Sequence, residues 1–123
     1  MDQFEGQALQ EEAVSFISTL PEIFGDDLDR KTLWERIGNG IKTALSKSSG
    51  NTELFLNSII TYIKAEPGKV ASNEGIGARI QTILKRPKEW QKAFLAEMEK
   101  KDFLILVKAR NLWEQKKKEK KRC

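Results

Sequence analysis

The side chains best suited to chemistry in this chain are cations. Arg79, Lys85, Arg86, Lys88, Lys92, Lys100, Lys101, Lys108 and Arg110 crowd its second half. A long basic stem needs only reach to contact a phosphate oxygen, and such contacts depend steeply on salt and little on base sequence. Lys85, Lys88 and Lys92 recur at the spacing that lines one side of a helix, and Arg86 adjoins them. Arg79, Lys85, Arg86, Lys88 and Lys92 are therefore the candidate phosphate contacts, with Lys108 and Arg110 next. The terminal run of Lys116, Lys117, Lys118, Lys120, Lys121 and Arg122 suits either a flexible basic arm or a device for solubility.

Other chemistry is poorly served. The chain has no histidine, which removes the commonest general base, the commonest metal ligand and every His-dependent nucleophile relay. Asp26, Asp27 and Asp29 lack the spacing and terminal glutamate of a calcium loop and read as the acidic entrance of a helix. Glu11 and Glu12 would point about 100° apart on a helix, and Glu97 and Glu99 share no face. No pair fit for acid–base work or nucleophile activation stands out, so neither an enzyme nor a metal or other cofactor is expected. The single cysteine, Cys123, cannot form an internal disulfide, which suits a reducing compartment. Trp90, Trp113 and Tyr62 are possible base-stacking platforms, although at apolar helical spacing they read more simply as core.

The elements that must position the cations are helices. Leu9, Ala13, Phe16, Ile17 and Leu20 mark one face of a helix over residues 2–20, which Pro21 ends or turns. A second helix over 29–46 buries Leu33, Trp34, Ile37, Ile41, Ala44 and Leu45, and the acidic residues before it favour its positive end. Gly38, Asn39 and Gly40 interrupt its middle, where each glycine costs about 1 kcal/mol relative to alanine. Close helix packing, or a backbone approached by nucleic acid or a neighbouring subunit, would compensate. Thr52 reads as the N-cap of a third helix with Leu56, Ile59, Ile60 and Ile63 inside, stopped by Glu66, Pro67 and Gly68. A loop over 69–77 leads into a fourth helix, capped by Ser72 or Asn73 and burying Ile76, Ile80, Ile83 and Leu84.

Pro87 separates that helix from a fifth, with Trp90, Ala93, Phe94 and Met98 on its buried face. A further helix is expected to begin near Asp102 and to carry the apolar run from Phe103 to Val107, then Ala109, Leu112 and Trp113. A helix apolar on most sides lies inside a bundle or between a bundle and a partner. The expected fold is all-α, a compact bundle of five to six helices in a single domain over 1–115, with a disordered basic tail at 116–123. No apolar run approaches the roughly 20 residues that span a bilayer, and Asp2 and Glu5 do not suit a signal peptide. A soluble cytoplasmic protein without a membrane partner is expected.

The charge is divided. Residues 1–61 carry five Lys/Arg against ten Asp/Glu, a balance of −5, and residues 62–123 carry seventeen against eight, a balance of +9. Such asymmetry points to a polyanion partner for the basic half, or to self-association in which basic and acidic ends meet. A histidine-free helical chain of this length, with the apolar core from Phe103 to Val107 and the cations from Arg79 to Arg110, resembles the small helical subunits of CRISPR effector complexes. That resemblance implies a non-enzymatic subunit of a ribonucleoprotein that stacks against neighbouring subunits. It also implies a basic surface for single-stranded DNA or for the RNA–DNA hybrid of the target strand. The alternative is a protein–protein adaptor that uses its charge polarity for docking or head-to-tail assembly, without binding nucleic acid.

Overall fold

The computed structural model describes residues 6–24, 29–64 and 74–122, and among these every regular element is a helix. The order is α1 (Gly6–Ser18), α2 (Leu20–Phe24), α3 (Arg30–Ser48), α4 (Thr52–Lys64), α5 (Glu74–Leu84) and α6 (Lys88–Arg122). The expected all-α bundle is what the chain forms. None of the described helices is long and apolar enough to cross a membrane.

Local sequence explains most boundaries. The hydroxyl and the N–H of Thr19 both donate to the Phe16 carbonyl, at 2.6 and 3.2 Å, closing α1. Pro21 then sits in the first turn of α2, where its missing N–H leaves nothing unpaired. At the other end of α3, Ser49 and Gly50 take positive φ values of 50° and 85°, the left-handed turn that reverses the chain into α4. The cap of α4 is Asn51 rather than Thr52: the Leu54 N–H donates to Asn51 Oδ1 at 3.0 Å. Thr52 is free for other work because the carboxamide one residue earlier already fills that role. The proposed caps Ser72 and Asn73, the stop at Glu66 to Gly68 and the acidic residues Asp26 and Asp27 lie outside the described residues.

The bundle is built along α6. This 35-residue helix extends about 52 Å. It carries Trp90, Phe94, Met98, Ile105, Ala109 and Trp113 inward, in steps of four and seven that keep one stripe in register. That stripe is why no second helix starts at Asp102. Buried positions on both sides of 102 fall on the same face, so α1 and α3 can pack along an unbroken partner. Phe16 of α1 meets Phe94 edge-on at 6.2 Å, and Trp34 of α3 meets Trp113 edge-on at 6.2 Å. Phe16 lies by Phe94 while Gln10 and Val14 lie by Lys108 and Leu112, and Arg30 meets Glu114 while Gly38 lies by Leu106, so α1 and α3 both run antiparallel to α6; α4 lies against α3 and α5, and α2 links α1 to α3. One apolar cluster draws on all six helices, from Leu9 through Leu20, Phe55 and Ile80 to Trp113.

The basic segment continues α6. Its backbone stays helical to Arg122, continuous with the core helix. Lysine and glutamate are good helix formers, and Lys117 Nζ lies over the Trp113 ring at 4.8 Å, which ties the first turn of that segment to the core.

Candidate nucleic-acid interface

Four of the seven candidate cations come together where α5 turns into α6. The turn is hydrogen-bonded through its backbone: Lys85 N–H donates to the Gln81 carbonyl and Arg86 N–H to that of Ile83, both at 3.1 Å. Pro87 ends the turn, and its carbonyl accepts the Gln91 N–H at 3.0 Å to begin α6. The amide of Gln91 locks this corner from within. It is buried, and its Nε2 donates to the carbonyls of Leu84 at 3.1 Å and Arg86 at 2.9 Å. Thr52, also buried, donates its hydroxyl to the Gln91 carbonyl at 3.3 Å, joining α4 to the same corner.

Sequence reasoning overlooked Gln91 and Thr52 as positioning residues. A signal existed, since Gln91 is a polar side chain placed between Leu84 and Phe94 in the buried register of the corner, where an unbonded amide would be costly.

On this frame Lys85, Arg86, Lys88 and Lys92 are all exposed. The Arg86 guanidinium lies over the Trp90 ring at 4.8 Å, which restrains it while leaving its donors in water. Lys88 and Lys92, one turn apart, border a shallow cavity of about 420 Å³ together with Gly50, Asn51 and Glu53. Glu53 is the carboxylate on that rim. The arrangement gathers four exposed cations at one corner, with one carboxylate on the rim of the cavity.

The other three candidates are elsewhere. Arg79 is half-buried and reaches Glu12 of α1 at 3.7 Å, so its charge is spent on holding α5 to α1. Lys108 is exposed beside Gln10, Glu11 and Val14 of α1, sixteen residues or about 24 Å along α6 from Lys92. Arg110 is exposed on the α3 side of α6, in a cleft of about 790 Å³ with Trp34, Gly38, Phe103 and Leu106. The structure thus brings together Lys85, Arg86, Lys88 and Lys92 and disperses Arg79, Lys108 and Arg110.

Two of the three aromatic candidates, Trp90 and Trp113, are core. Trp90 and Trp113 are 6% and 9% exposed, and Tyr62 is half-buried with its ring against Gly40. A Cβ at Gly40 would lie 2.7 Å from Tyr62 Cδ2, and one at Gly38 would lie 3.0 Å from Leu106 Cδ2. Both glycines therefore serve close packing of α3. The apolar run beginning at Phe103 is only partly inside: Ile105 is fully buried, whereas Phe103 is 70% and Leu104 54% exposed. Among the described residues, no group of three or more Asp, Glu or Cys side chains is placed to hold a metal ion. Compared with family models, with curated proteins and with solved structures, the chain matches none.

Proposed function

We propose that this chain is a non-catalytic subunit that binds the backbone of a nucleic acid through the α5–α6 corner. The observation that carries the reading is the convergence of exposed Lys85, Arg86, Lys88 and Lys92 on a turn held rigid by Gln91. A fixed backbone presents the four cations on one corner, and contacts to phosphates are made whatever the base sequence. The wider reading, a small subunit of a cytoplasmic ribonucleoprotein effector of the CRISPR kind acting in antiviral defence, is supported by length, helix content and the split of charge between the two halves. In that setting the polymer is single-stranded DNA or the target-strand hybrid.

The test is binding to labelled single-stranded and duplex oligonucleotides across a salt series. Four phosphate contacts on a single strand give a slope of roughly −3 in log affinity against log salt. Changing Lys85, Arg86, Lys88 and Lys92 together to glutamate should abolish that slope with the helical spectrum unchanged. Arg79→Gln should leave it nearly as it was. Binding that survives the fourfold change would remove the corner from consideration.

A second reading, the protein–protein adaptor, is favoured by one observation: the large apolar side chains Phe103 and Leu104 face solvent on α6. Under it, charge reversal at exposed acidic residues such as Glu11 and Glu22 weakens assembly with partner subunits or with further copies. Under the first reading the same change spares nucleic-acid binding.

A further inference from the structure

The cleft between α3 and α6 has a shape and charge that the corner does not use. Because Arg30 meets Glu114 and Gly38 meets Leu106, the two helices run antiparallel and the cleft follows both axes. From Arg30 to Lys42 on its α3 side it extends twelve residues, about 18 Å. Its lining is apolar at the centre. Trp34 and Ile41 form a buried wall, Gly38 contributes no side chain and so lets Leu106 approach the α3 backbone, and Phe103 stands largely in solvent at the Lys42 end.

The rims are cationic. Among the described residues the lining carries Arg30, Lys31, Lys42 and Arg110 against Glu35 and Glu114; with Arg30 and Glu114 paired at 3.7 Å, Lys31, Lys42 and Arg110 remain against Glu35.

We propose that this cleft docks an amphipathic helix of a partner protein, apolar face inward and Asp or Glu side chains toward the rims. A trough of about 18 Å takes about three turns of helix, enough for apolar anchors at i, i+3 or i+4 and i+7. The excess of cations selects an acidic partner. A second copy presenting the same face is disfavoured, since a two-fold contact would bring cations against cations. A nucleic acid is disfavoured too, because phosphates would gain nothing from the apolar lining, of which Phe103 is the exposed part. The inference deepens the adaptor reading and stands apart from the nucleic-acid one.

The test uses the full chain and two synthetic helical peptides that share a leucine face at i, i+3, i+4 and i+7. In one the remaining positions are mostly glutamate, in the other mostly lysine, and fluorescence anisotropy follows each. The acidic peptide should bind and the basic one should not. Phe103→Asp and Arg110→Glu, both at exposed positions, should each weaken the acidic peptide about tenfold or more. The fourfold glutamate variant of the corner should bind it like wild type, and the two cleft variants should keep oligonucleotide binding, which separates this outcome from the fate of the corner. Failure of the acidic peptide to bind, equal binding of both, or indifference to Phe103→Asp and Arg110→Glu would overturn the proposal. So would displacement of the peptide by an oligonucleotide, or a dimer in sedimentation that Phe103→Asp dissolves.

Discussion

At the scale of single residues, the two glycines of α3 make the sharpest contrast. Replacing either with alanine adds about 1 kcal/mol of helix propensity. At Gly38 the new methyl meets Leu106 Cδ2, the far end of a flexible side chain that can move aside; at Gly40 it meets the Tyr62 ring near its root, which cannot. Gly38→Ala should therefore change unfolding free energy by less than ~0.5 kcal/mol in either direction, while Gly40→Ala should lose about 1–2 kcal/mol. Urea denaturation followed by circular dichroism measures both. In a Tyr62→Ala background the sign at Gly40 should reverse, and persistence of the loss there would show that the ring is not what keeps the glycine. The spacing of Gly38, Asn39 and Gly40 announces an interruption but not its cause. The atoms that explain it belong to Tyr62 and Leu106, which no local pattern connects to α3.

At the scale of elements, α6 is the instructive case. Asp102 after two lysines looks like a helix start, because an aspartate there can cap a new helix and favour its dipole. What local chemistry does not reveal is that Met98 and Ile105 lie on one stripe, so that breaking the helix would misalign two sets of core contacts at once. The difference is measurable. If a helix began after Asp102, position 103 would be its first residue, where proline is tolerated; within a continuous helix, proline there loses a hydrogen bond and clashes with the preceding turn. Phe103→Pro should cost about 3 kcal/mol more than Phe103→Ala in thermal or urea unfolding, since the side chain itself is mostly in water. A difference below ~1 kcal/mol would restore the break.

Elsewhere the helical periodicity of Leu9 to Leu20, Leu33 to Leu45 and Ile76 to Leu84 does mark elements and their buried faces. These stripes are legible because each helix has one apolar side. The corner cluster is legible for the same reason, as Lys85, Lys88 and Lys92 lie on one side of a single turn and helix. Arg79, Lys108 and Arg110 are not, because which neighbour they face depends on how α1 and α3 dock on α6.

For the molecule as a whole, the shared core has a thermodynamic consequence. Phe16, Trp34, Phe55, Ile80 and Phe94 belong to one cluster drawn from α1, α3, α4, α5 and α6, so no helix pair has a core of its own. Loss of helix signal at 222 nm and loss of the tryptophan fluorescence shift should therefore share one midpoint. Phe94, fully buried, stacked on Trp90 at 5.4 Å and edge-on to Phe16, is the test position. Phe94→Ala should move both probes together by about 3–5 kcal/mol. Two separate midpoints would mean that part of the bundle unfolds alone.

The uninterrupted course of α6 also sets a distance. Lys92 belongs to the corner and Arg110 to the cleft, and eighteen residues of one helix hold them about 27 Å apart. A helix without a hinge works as a ruler. A strand seated on the corner would be kept that far from whatever fills the cleft, roughly eight base-pair steps of duplex, given the 3.4 Å rise per strand. The two surfaces can then be occupied together, and the fold would dictate how much polymer is left to run between them.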